Sequence, residues 1–150
     1  MKVIIMRHGQ ADWSAPSDSE RRLTEQGVQE VSSTAAQLAG QHIDRIIASP
    51  YLRAQQTAGI VSEACGVAVD TLDALEPDGD SASVVQALPE SGVVLLVSHM
   101  PLVSCLAGLL CDGSTGNGPS FQTATALVLT LDMPGAGMAE VTEIIMPQSY

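Results

Sequence analysis

Apolar residues along this chain fall into short unbroken runs, separated by stretches where they recur every three or four positions. Val3 to Met6 is the first run, and it predicts a central parallel strand buried on both faces. Ile46-Ile47-Ala48 and Val67 to Leu72 predict two more strands, Val93 to Val97 the clearest one, and Ala126 to Leu131 and Val141 to Ile145 the last two. Between them, Val28, Val31, Ala35 and Leu38 repeat at helical spacing behind the capping residue Thr24 and run out at Gly40. Ser49-Pro50 reads as the N-cap and first residue of a helix that carries Ala54, Ala58 and Val61 to Gly66. Asp80 predicts the cap of a short helix through Leu88, and Pro101 the start of an apolar helix ending near Asp112-Gly113. Residues 10–22, with Asp12, Ser14, Pro16, Ser17, Asp18 and Ser19, read as an irregular loop, and residues 73–80 as an acidic one.

Strands alternating with helices across short connections predict an α/β protein: a three-layer α/β/α sandwich with a mainly parallel central sheet. At 150 residues the chain is expected to form a single domain over residues 1–150. In such folds ligands gather at the carboxyl ends of the strands. That rule says where reactive side chains ought to lie.

Composition narrows the possibilities. Hydrophobic residues are 45% and charged residues 15%, a globular balance with no apolar run long enough to cross a bilayer, and no membrane partner is expected. The apolar start reaches Arg7 and His8 too soon for a signal peptide, so a cytoplasmic location is expected. Cys65, Cys105 and Cys111 form no C-x-x-C pair and are expected to be unreactive thiols. A net charge of −11 with only six Lys and Arg excludes the basic face that nucleic acid requires. Several of those cations meeting in one pocket would focus an anionic ligand within an acidic protein.

Three expected strands end in reactive residues: Arg7-His8-Gly9 after the first, Ser49-Pro50 leading to Arg53 after the second, and Ser98-His99 after the strong one. Their meeting would place two histidines and two arginines near helix N-termini, an arrangement suited to phosphate. Arg7-His8-Gly9, Ser49-Pro50-x-x-Arg53-Ala54-x-Gln56-Thr57 and Ser98-His99-x-Pro101, in this order, resemble the histidine phosphatase superfamily, the phosphoglycerate-mutase-like group. Ser17-Asp18-Ser19, Arg21, Leu23-Thr24 and Ser49-Pro50-Tyr51-Leu52-Arg53-Ala54 narrow the resemblance to phosphohistidine phosphatases of the SixA type.

The resemblance implies that His8 is the nucleophile that accepts the phosphoryl group, while Arg7, Arg53 and His99 hold its oxygens. It implies Gly9, Asp18, Arg21 and Met100 as further substrate contacts, no metal or other cofactor, and a phosphorylated protein as substrate of a monomeric enzyme. For Asp18 and Arg21, in the loop over the expected pocket, a pocket rim and a solvated loop both remain open. His42 has no motif around it and is expected to be exposed or satisfied by local hydrogen bonds.

Two departures from the family pattern bear on substrate. Gln10 and Trp13 fit an R-H-G-x-[ST]-x-W-N start, but Ala11 replaces the hydroxyl residue and Ser14 the asparagine, which argues against sugar-phosphate mutase activity. In Leu72-Asp73-Ala74-Leu75-Glu76-Pro77, Ala74 stands where relatives carry a glutamate proton donor; Glu76, Asp73 and Asp78 lie nearby in an acidic loop. Two other readings stay open: a small-molecule phosphomonoesterase or mutase of the same superfamily, and a phosphate-binding regulatory module without turnover.

Overall fold

A computed structural model describes residues 1–148; the last two positions of the expected 1–150 domain lie outside the described residues. Six strands, β1 (Lys2–Arg7), β2 (Arg45–Ala48), β3 (Val69–Thr71), β4 (Val93–Ser98), β5 (Ala126–Leu131) and β6 (Ala139–Ile145), form one sheet in the order β3-β2-β4-β1-β5-β6. The four strands from β3 to β1 are mutually parallel, whereas β5 runs antiparallel to β1 and β6 antiparallel to β5. The sheet is thus mainly parallel, with an antiparallel hairpin along one edge.

Burial explains why β1 and β4 read as unbroken apolar runs. Val3, Ile5, Val94 and Leu96 point into one core, with α3 (Ser81–Ala87) and α4 (Leu102–Asp112) supplying Val84, Leu102, Val103, Leu106 and Leu110. Ile4, Met6, Leu95 and Val97 point into the other, against Val31, Ala35 and Leu38 of α1 (Glu25–Leu38) and Ala54, Ala58 and Val61 of α2 (Leu52–Cys65). A strand sandwiched by helices must be apolar on both faces, and this makes the three layers. No helix among the described residues is long and apolar enough to cross a membrane.

Several boundaries differ from expectation. Ser49-Pro50 does not cap α2: the helix begins at Leu52 with Tyr51 at the cap position, and Ser49 is buried with its hydroxyl engaged elsewhere. Val28 of the expected apolar stripe is 42% exposed, because the face of α1 that packs is completed by Gly27 and Thr34 instead. β3 is shorter than the run Val67 to Leu72, and β6 starts earlier, at Ala139. Thr24 does cap α1, its hydroxyl oxygen accepting the Gly27 N–H at 2.9 Å, and Gly66 ends α2 in the left-handed region (φ 73°). Cys65, Cys105 and Cys111 are free and half-buried.

The first turn of α1 lies against the loop that follows β1. A Cβ on Gly27 would collide with the Gln10 carbonyl oxygen, the same atom that accepts the Thr24 N–H at 3.0 Å. In an unobstructed helix, glycine to alanine gains up to about 1 kcal/mol. Gly27→Ala is expected to show the opposite sign, losing about 1–3 kcal/mol through overpacking, as read by urea unfolding. A stabilised variant would mean that the loop does not rest on α1.

Candidate active site

The carboxyl ends of β2, β4 and β1 are adjacent in the sheet and in register, with Ala48 beside Val97 and Arg7 beside Ser98. The ladder then continues one residue further. His8 N–H donates to the Ser98 carbonyl at 3.0 Å, and Ser49 N–H to the Val97 carbonyl at 3.0 Å. These bonds carry His8, Ser49 and His99 off three neighbouring strands toward a common point, where the His8 and His99 rings lie 5.0 Å apart between centroids.

His8 is held from both sides. Its Nδ1 lies 2.7 Å from the Gly9 carbonyl, which can only accept, so Nδ1 carries the proton and Nε2 keeps a lone pair. Arg53 Nε donates to that Nε2 at 3.3 Å. The Gly9 peptide is itself fixed, its N–H donating to the Thr57 hydroxyl at 3.2 Å, while that hydroxyl donates to the Arg53 carbonyl at 2.8 Å. Glycine is required here because a Cβ would lie 2.6 Å from Val31 Cγ2 and 2.8 Å from the Gly27 carbonyl.

Three of the six cations gather around this pair. Arg53 is 4% exposed on the first turn of α2, an unfavourable end of the helix dipole for a cation. Its terminal nitrogens donate to the Asp18 carbonyl (2.6 Å) and carboxylate (3.2 Å). Asp18 also accepts from Arg21 at 3.2 Å, and Arg21 lies over the exposed Trp13 ring, 3.6 Å from its centroid. Arg7 donates through one terminal nitrogen to the Phe121 carbonyl at 2.8 Å; its buried Nε and the buried His99 Nδ1 have no partner among the described residues. Buried polar atoms are normally satisfied, so these two stand out as unpaired.

The electrostatics follow from burial amid cations. Burial, helped by Arg53, Arg7 and Arg21, lowers the His8 pKa to about 4, against a partial offset from the Gly9 hydrogen bond. Burial, with repulsion from His8 once that ring is protonated and from Arg53, lowers that of His99 to about 3. Both rings are neutral at pH 7. For Asp18, partial burial opposes ionisation, but the hydrogen bonds and charges of Arg21 and Arg53 outweigh it and hold the carboxyl below its ordinary range.

The other expected residues divide. Arg7, His8, Gly9, Arg53 and His99 come together, and the loop of Asp18 and Arg21 reaches Arg53 through Asp18, which bonds both arginines. Met100 is half-buried and packs on the core beneath α4. His42 is exposed and ends the helical segment after α1 in the left-handed region. Thr57, which motif reading quoted without a role, and Ser49, which it read only as a helix cap, also contact this cluster, through Gly9 and His99, both distant in sequence.

This geometry can be set beside known proteins. The chain is 42% identical over 146 residues to the phosphohistidine phosphatase SixA of Escherichia coli K12, covering 91% of this chain and 89% of that one. The chain belongs to the histidine phosphatase superfamily. Residues 3–76 match the model of branch 1 of that superfamily. A SixA homolog of Haemophilus influenzae is 34% identical over 166 residues, covering 99% of this chain and 96% of that one. The structure of the protein histidine phosphatase SixA complexed with tungstate superposes with a TM-score of 0.86 at 36% identity, over 98% of this chain and 97% of that chain. The superfamily fold therefore stands here with its three motif segments meeting at one end of the sheet.

The depressed histidines predict acid sensitivity. In the unfolded chain each imidazole takes up a proton near pH 6.5, whereas in the folded protein His8 does so only near pH 4 and His99 near pH 3. The unfolded state binds more protons between those values, so stability is full above pH 6.5 and falls as pH drops through the window. Urea unfolding measured from pH 7 to pH 4 is expected to show this loss, with a shallower slope in His8→Gln. An unchanged slope would mean that His8 is not held neutral.

Proposed function

We propose that this protein is a phosphohistidine phosphatase built as a single histidine phosphatase domain, with His8 as nucleophile. The observation that carries the reading is a neutral, buried His8 whose Nε2 lone pair faces the Arg53 guanidinium, with the His99 ring 5.0 Å away. The SixA relatives, one of them holding the tetrahedral oxyanion tungstate, support it.

In this reading Nε2 attacks phosphorus in line, forming an N–P bond as the bond from phosphorus to the substrate imidazole breaks. Gly9 keeps the Nδ1 proton in place as the ring becomes cationic. Arg7, Arg53 and His99 meet the charge on the three equatorial oxygens, and Arg53 trades its Asp18 contacts for phosphoryl contacts. Water then attacks phospho-His8, phosphate departs and the neutral imidazole is restored. The substrate is a phosphorylated protein, and the enzyme acts as a cytoplasmic monomer. The R-H-G loop lacks the polar residues of sugar-phosphate mutases, with Ala11 and Ser14 in their places.

Trapping tests the nucleophile. Rapid quench with labelled phosphohistidine protein is expected to label the wild type in an acid-labile, alkali-stable form, and His8→Ala is expected to lose both label and turnover. Label that survives in His8→Ala, or that resists acid, would sink the assignment.

Substrate preference follows from the proton donor. Ala74 packs on the core and has no proton to give, while Asp18 is held ionised and cannot serve as an acid at neutral pH. Serine alkoxide leaves poorly without a delivered proton, whereas imidazole, with a reference pKa of about 6.5, can be protonated on its second nitrogen beforehand. kcat/KM is therefore expected to be far higher on a phosphohistidine protein than on a phosphoserine peptide. Comparable values would mean that the half-buried Glu76 or another carboxylate of its loop supplies the proton, and if it is Glu76, Glu76→Gln would slow the serine ester selectively.

A further inference from the structure

His99 is 1% exposed, and burial keeps its ring neutral. A neutral imidazole has one N–H and one lone pair, and which nitrogen bears the proton decides what the ring can do. As a phosphate ligand it is useful only if the nitrogen facing the phosphoryl group is the donor. A lone pair there would repel the oxygens.

The ring itself does not settle the tautomer, but its neighbour does. His99 Nε2 lies 2.8 Å from the Ser49 hydroxyl oxygen, and Ser49 is fully buried. That oxygen already accepts the Tyr51 backbone N–H at 3.2 Å. The Ser49 carbonyl is taken by the Gln55 amide at 2.8 Å, and its N–H by Val97. Among the described residues, the hydroxyl proton has one acceptor in reach, and that is His99 Nε2. Were Nε2 protonated instead, the hydroxyl would accept twice and its own buried proton would go unpaired, at a cost comparable to a lost hydrogen bond. The other nitrogen, Nδ1, is the buried atom without a partner.

We infer that Ser49 is the positioning residue that fixes the tautomer of His99: it donates to Nε2, so the proton resides on Nδ1, and Nδ1–H is the donor offered to a phosphoryl oxygen. The inference deepens the proposed phosphatase reading and rests on it for the identity of the oxygen, but the tautomer itself can be measured without any substrate. Ser49 would touch neither substrate nor phosphorus. It works on the reaction through His99, much as Gly9 works through His8.

The test begins with long-range proton–nitrogen NMR correlations on wild-type protein labelled in its imidazole rings, assigned with His8→Gln and His42→Gln. His99 is expected as the Nδ1–H tautomer at pH 7, and its Nδ1–H proton is expected to shift as inorganic phosphate is added. An Nε2–H tautomer in the wild type, or an Nδ1–H that does not respond while phosphate binds, overturns the inference. Ser49→Ala removes the bias, so mixed tautomers and a roughly 10-fold fall in kcat are expected, the worth of one net hydrogen bond. Ser49→Thr retains the hydroxyl and is expected to recover the tautomer and most of the rate; wild-type kcat in Ser49→Ala would overturn the role. Because the wild-type tautomer is read independently of turnover, a chain that shows the Nδ1–H form yet cleaves no phosphohistidine would fail the proposed function and not the hydrogen-bond assignment.

Discussion

The parallel pairing of β4 with β1 on one side and β2 on the other is the constraint on which the site depends. Its registers place Arg7 beside Ser98 and Ala48 beside Val97, and the ladder bonds from His8 to Ser98 and from Ser49 to Val97 extend that order past the strand ends. A shift of one residue in either pairing would exchange the two apolar faces of β1 or β4, setting each side chain in the core shaped for its neighbour, and would carry His8 or His99 to the opposite side. The burial that fixes the register is therefore the same burial that aims the two histidines. Packing and chemistry share one determinant.

Charge is the second organising feature. A protein with a net charge of −11 brings Arg7, Arg21 and Arg53 to one end of its sheet, and Asp18 bridges two of them. Arg53 is nearly inaccessible at the wrong end of a helix dipole, an arrangement that stability alone does not favour. The acidic surroundings confine positive potential to the mouth of the site, where an anionic group would be drawn inward rather than spread across the surface.

How legible this was in the sequence varied with the range of the interaction. β1 and β4 could be read from Val3 to Met6 and Val93 to Val97 because burial on both faces leaves a continuous apolar signature. Thr24 and Gly66 could be read because caps are local. The strand-end rule brings Arg7, His8, Arg53 and His99 together from sequence alone. What escaped was set by contacts between distant segments. Ser49-Pro50 has the composition of a helix start, yet the serine hydroxyl faces His99, fifty positions along the chain. Val28 fits the helical stripe but lies beyond the packed face. Asp18 offered no sign that its carboxylate would reach Arg53, since that pairing depends on how a loop without periodicity folds back over α2.

The peptide of Gly9 joins two parts of the molecule that would otherwise be independent. Its carbonyl orders the His8 ring, and its N–H is tied to Thr57, one turn along α2 from Arg53. The reactive form of the imidazole is thus inherited from the docking of a helix that contributes no atom to the imidazole itself. Helices open by local fluctuation at free energies below that of global unfolding. Each excursion of α2 away from the sheet would release Gly9, withdraw Arg53 and leave His8 free to rotate, so catalytic competence belongs to a subset of the folded ensemble smaller than the fold itself.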